Sequence, residues 1–131
     1  EAGARRVLPL KVSGPFHSPL LNTAGEKLAE VLAPCKLSGL KIPYISNTLA
    51  EPVTDKTKIK DLLTRQISSP VRWRESMEEL IREGVGTFIE IGPGKTLSGF
   101  LKKIDRNAVV YSIQTMEDLE KTVELLKGRN L

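Results

Sequence analysis

Apolar positions recur along this chain at two spacings, one for strands and one for helices. Residues 6–12 (R-V-L-P-L-K-V) are β-branched and apolar enough for a strand, with Pro9 putting it at a sheet edge or giving it an irregularity. Residues 13–19 (S-G-P-F-H-S-P) form a loop, because a Gly and two Pro cannot sit inside a regular element. From 19 to 33, Leu20, Leu21, Ala24, Leu28, Val31 and Leu32 fall at helical spacing, and Pro34 stops the helix. Residues 41–46 (K-I-P-Y-I-S) make a short strand that ends at Asn47-Thr48, and 51–57 read as a polar loop. Residues 58–67 are amphipathic, with Ile59, Leu62, Leu63 and Ile67 on one face, until Ser68-Ser69-Pro70 breaks the pattern. A helix over 71–83 turns Trp73, Met77, Leu80 and Ile81 inward and ends at Gly84. Residues 87–91 (T-F-I-E-I) predict a buried strand, 96–104 a helix, 108–113 (A-V-V-Y-S-I) a strand and 116–127 a last helix. This alternation in the second half predicts an α/β layer with parallel strands.

Composition narrows the class. At 131 residues, 40% hydrophobic and 27% charged, the chain has the make-up of a globular domain rather than a disordered segment. No apolar run approaches the roughly 20 residues of a membrane helix. One Cys excludes an intramolecular disulfide and suits a reducing, cytoplasmic setting. One Cys and one His exclude the usual His/Cys-rich zinc site, so no metal is expected. The net charge of +4 is spread over short clusters (Arg5-Arg6, Arg72/Arg74, Lys102-Lys103) separated by acids, with aromatics at only 5%. That argues against nucleic-acid binding and leaves room for an acidic protein partner or a phosphorylated substrate. The chain opens on Glu1-Ala2-Gly3-Ala4-Arg5-Arg6 without Met. This stretch reads as the last turn of a helix and has no apolar core of a signal peptide, which suggests either a trimmed terminus or a piece of a longer protein.

Few residues offer chemistry. His17 stands in a loop just past a strand end, stiffened by Pro15 and Pro19, where α/β folds commonly place catalytic groups. Position alone leaves a structural histidine equally open. Ser13 and Ser18 are too near in sequence to form a Ser–His dyad with it, and Cys35 has no charge partner and reads as inert. Gly92-Pro93-Gly94-Lys95-Thr96 invites comparison with a phosphate loop, but Ile89 stands where that loop needs Gly, and Pro93 removes an amide. A strand-to-helix turn with Gly at positive φ is the better reading. Gln66 alone is a helix-end residue, and Asn47 a turn residue suited to the left-handed region.

Read together, four segments carry more. Val12-Ser13-Gly14-Pro15-Phe16-His17-Ser18-Pro19-Leu20, Pro43-Tyr44-Ile45-Ser46-Asn47, Arg65-Gln66-Ile67-Ser68-Ser69-Pro70-Val71-Arg72-Trp73 and Glu90-Ile91-Gly92-Pro93-Gly94-Lys95-Thr96-Leu97 occur in this order. They resemble the malonyl-CoA:acyl-carrier-protein transacylase family of bacterial fatty-acid synthesis and the related acyltransferase domains of polyketide synthases. The resemblance implies malonyl transfer through a Ser–His dyad, with His17 as general base and the Gln66 main-chain carbonyl accepting a hydrogen bond from its imidazole. It also implies that Phe16 and Asn47 line the substrate pocket, with Phe16 a hint toward malonyl. The implied partners are malonyl-CoA and acyl carrier protein, with no bound cofactor, no metal, no nucleic acid and no membrane.

The departure is large, because no G-x-S-x-G nucleophile elbow is present. The resemblance therefore implies a C-terminal portion: 1–13 ending a ferredoxin-like small subdomain, and 14–131 belonging to a hydrolase-like core with parallel strands. The missing N-terminal portion of the enzyme would be its partner, and the chain alone is expected to be inactive. The alternatives are a piece of a polyketide-synthase acyltransferase domain or a non-catalytic binding domain of the same fold.

Overall fold

The computed structural model describes residues 12–128 together with Gly3 and Pro9. Most of the strand expected over 6–12, and most of the helical turn expected at the start, thus lies outside the described residues. Contacts divide the chain into two compact units, one running to Thr48 and including Val53–Val71, the other made of Leu49–Pro52 and the residues from Arg72 on.

In the first unit a 3₁₀ turn, Pro19–Leu21, leads into α1, Asn22–Leu32. Pro at the first position of the turn suits it, since the missing N–H would have had no helical acceptor. α2, Ile59–Gln66, follows a 3₁₀ turn at Lys56–Lys58 whose entry is capped by the Asp55 carboxylate, which accepts from Thr57 N–H at 2.9 Å. Ile59 and Leu62 are buried, as the amphipathic pattern requires, and Leu63 is left at the margin. α1 and α2 pack closely at Gly25: a side chain there would bring its Cβ within 3.2 Å of the Thr64 carbonyl oxygen.

The strand expected over 41–46 is only Tyr44–Ile45 (β1), because Pro43 cannot join a ladder and the chain turns at once after Ser46. Its partner is a second two-residue strand, Pro52–Val53 (β2), inside the segment expected to be loop. So short a strand has no periodicity to detect.

The second unit holds α3, Trp73–Arg82; β3, Thr87–Ile91; α4, Thr96–Ile104; β4, Val109–Ile113; and α5, Met116–Lys127. β3 and β4 pair in parallel, Thr87 opposite Val109 and Ile91 opposite Ile113, with α4 as the crossover. The expected α/β architecture with parallel strands is present. Met77, Leu101 and Ala108 form the core, with Trp73, Leu80, Ile81, Phe88, Ile104 and Val110 packed on it. α3 ends where Gly84 takes φ +89°, with Gly84 N–H donating to Ile81 O and Val85 N–H to Leu80 O, the paired bonds of a Schellman closure.

One expectation fails here. β3 is not buried: Ile89 is 44% and Ile91 79% exposed. Its apolar content matches a strand covered on both faces, but among the described residues β3 pairs only with β4, and Ile89 and Ile91 are left exposed.

Candidate active site

His17 and Gln66 lie 49 residues apart and are brought together in the first unit. The imidazole Nδ1–H of His17 donates to the Gln66 main-chain oxygen at 2.9 Å. A carbonyl oxygen can only accept, so Nδ1 carries a proton, and the neutral form of a ring so held has its lone pair at Nε2. The ring is exposed, which leaves Nε2 open to a reacting group.

Two local features hold this pose. His17 takes φ +57°, the left-handed region that costs most side chains energy and is entered by His more readily than by bulky apolar residues. The turn is tied by Ser18, whose hydroxyl donates to Pro15 O at 2.8 Å. Ser18 is thus a strut of the loop. On the other side, Gln66 is the last residue of α2, where carbonyls lose their helical donors.

The remaining expected site residues are placed as follows. Phe16, next to His17, is 64% exposed. Asn47 lies half-buried in the turn after β1, but not in the left-handed region: Ala50 takes φ +57° instead. The turn is shaped by the buried Ser46, whose hydroxyl pairs with Thr48 Oγ1 at 2.8 Å, so Asn47 has no strained backbone to relieve. Cys35 is exposed, and its thiol donates to Val31 O at 3.4 Å. Among the described residues no group of three metal-ligating side chains occurs, and no helix is long and apolar enough to cross a membrane.

The Gly92–Thr96 loop is a strand-to-helix turn with Gly92 at φ +138° and Gly94 at φ +88°. Several amides in and just after it are engaged. The Glu90 carboxylate accepts from Leu97 N–H at 3.1 Å, from Ser98 N–H at 2.9 Å and from the Ser98 hydroxyl, while Gly94 N–H donates to Gln114 Oε1 at 2.7 Å. A protein carboxylate thus occupies the α4 N-terminus where a phosphate loop would hold its anion. The Ser98 hydroxyl, then the Ser98 and Leu97 amides, hold the Glu90 carboxyl below its ordinary range. Sequence reasoning missed this cap, for the pairing joins neighbouring elements and leaves no periodic trace.

No family model matches the chain. The malonyl CoA-acyl carrier protein transacylase of Bacillus subtilis is 49% identical over 130 residues, 99% of this chain and 41% of that protein. The crystal structure of the Streptococcus pneumoniae enzyme superposes with a TM-score of 0.87 at 48% identity, over 95% of this chain and 40% of that one. A malonyl-transacylase solved in complex with its type II polyketide-synthase acyl-carrier protein gives the same TM-score, 0.87, at 35% identity, over 95% and 40% of the two chains. The chain spans about two fifths of the length of the relatives it matches. By sequence and by fold, nearly the whole of this chain belongs with the malonyl CoA-acyl carrier protein transacylases.

Proposed function

We propose that this chain supplies the general-base half of a malonyl-CoA:acyl-carrier-protein transacylase. The single observation that carries the reading is the His17 Nδ1–H bond to the Gln66 carbonyl, which leaves Nε2 as a base. In the reaction a serine from outside these residues gives its proton to Nε2 as its oxygen attacks the malonyl thioester carbonyl. The tetrahedral intermediate collapses, the C–S bond breaks, and the coenzyme A sulfur leaves with the proton from Nε2. The pantetheine thiol of the carrier then gives its proton to Nε2 as its sulfur attacks the malonyl-serine ester; the ester C–O bond breaks and the serine oxygen takes the proton back from Nε2. A main-chain carbonyl takes the orienting place that an Asp fills in a Ser-His-Asp triad.

In this reading Phe16 and Asn47 line the acyl pocket, and no metal or cofactor takes part. Residues 14–131 belong to a hydrolase-like core, residues 1–13 end a ferredoxin-like subdomain, and the stretch is C-terminal in a cytoplasmic enzyme. Fatty-acid synthesis is the favoured setting, given the 49% identity to the Bacillus subtilis protein. The 35% match to a polyketide-linked transacylase keeps a polyketide carrier as the second.

The test is malonyl transfer to acyl carrier protein by the intact enzyme and its His17→Ala variant. The variant is expected to lose about 10²–10⁴-fold in rate, the usual worth of general acid–base catalysis. An unchanged rate would reject His17 as the base. Running both carriers side by side ranks the two settings.

A further inference from the structure

A helix leaves its last carbonyls without donors, and which one stays free depends on the residues three and four positions on. For Gln66 the residue four positions on is Pro70, which has no N–H to give. The closing bonds of α2 are of the tighter kind: Ile67 N–H donates to Thr64 O at 3.3 Å and Ser68 N–H to Arg65 O at 3.2 Å. In that tighter series the Gln66 carbonyl would next be met by the Ser69 N–H, whose backbone the following proline biases away from helix, and in the α-helical pattern by position 70, where proline has no N–H; instead the imidazole of His17 donates to it at 2.9 Å. Pro70 is exposed, so burial of its ring in a core does not explain why proline stands there.

We propose that Pro70 is a positioning residue for His17: by withholding a backbone N–H at the end of α2, it reserves the Gln66 carbonyl for the imidazole and so fixes the Nδ1–H tautomer. Proline also biases Ser69 toward extended backbone, which turns the chain away from the helix axis and opens the approach to that carbonyl. Restoring an N–H at this position lets the helix run on by one bond. The imidazole must then share or lose its acceptor, and the Nε2–H tautomer, which cannot act as a base at Nε2, gains population. The proposal deepens the reading of His17 as the base and rests on it for its catalytic consequence, but not for the hydrogen bond itself.

The test is Pro70→Ala in the intact enzyme, read by ¹⁵N shifts of the His17 ring and by kcat and KM for malonyl-CoA. The Nε2–H signature is expected to grow, and kcat to fall about tenfold to a hundredfold with KM unchanged, the loss that a misplacement of roughly 1 Å can cause. A second variant carries the same methyl side chain but an ester in place of the backbone amide at position 70. It again lacks the N–H, and it is expected to restore both the tautomer and kcat. An unchanged ring pattern in Pro70→Ala, or an ester variant as impaired as Pro70→Ala, would overturn the proposal. A tautomer shift with unchanged kcat upholds the positioning and removes His17 as base. An unchanged tautomer and kcat in Pro70→Ala, beside a His17→Ala variant that fails, does the reverse.

Discussion

His17 is held by one exposed hydrogen bond, and a bond of that kind adds only about 0.5–1.5 kcal/mol to stability. Its worth lies in orientation, because the acceptor is a carbonyl and decides which nitrogen carries the proton. The acceptor is also main-chain, so the identity of the side chain at 66 should matter little. Gln66→Ala in the intact enzyme is expected to keep kcat close to that of the parent, while His17→Ala does not. A Gln66→Ala loss as large as that of His17→Ala would show that the side chain, not the carbonyl, does the work. His17 was legible in the sequence as a lone imidazole in a proline-stiffened loop. Its partner was not, since a backbone acceptor has no residue-type signature, and only the resemblance pointed to Gln66. The left-handed φ of His17 was equally silent, because residue type alone does not set it.

Among the elements, α3 and the β3–α4–β4 crossover follow directly from sequence, since Trp73, Met77, Leu80 and Ile81 at helical spacing do form the core-facing stripe. The α5 start is equally local. The Thr115 hydroxyl accepts from Asp118 N–H at 3.2 Å, and the Asp118 carboxylate accepts from Thr115 N–H at 3.0 Å, a reciprocal box within four residues. The Glu90 cap of α4 could not be read this way, because it joins a strand to the next helix. Glu90, held low chiefly by Ser98, and Asp118, held low chiefly by the Gln114 amide, both bind protons less readily when folded. Both therefore stabilise the fold above the ordinary carboxylate range and withdraw that support as pH falls through it to their depressed values. Thermal melts from neutral to acid pH should show a falling Tm, and Glu90→Gln should flatten that fall. An equally steep fall in Glu90→Gln would remove Glu90 from this account.

For the molecule as a whole, the parallel pair β3–β4 leaves apolar surface uncovered. Ile91 is 79% exposed, and Leu97 and Phe100 on α4 are also open. Parallel sheets normally bury both faces, and two strands are few for independent stability. The sequence pattern T-F-I-E-I could not reveal this, since it reports what a strand can bury and not what is there to cover it. The 131-residue chain alone is therefore expected to self-associate in sedimentation experiments and, with no G-x-S-x-G in it, to transfer no malonyl group. A monodisperse monomer with one cooperative melt would contradict the first expectation. Transfer by the purified chain would contradict the second.

The most direct test of the central claim is a graft. In the Bacillus subtilis transacylase, the stretch that aligns with this chain at 49% identity is replaced by these residues, and malonyl transfer to acyl carrier protein is measured with His17 intact and as His17→Ala. The account predicts an active chimera that loses about 10²–10⁴-fold in rate with the substitution. A folded chimera that is inactive with His17 present, or equally active without it, would contradict the claim that this chain carries the general base.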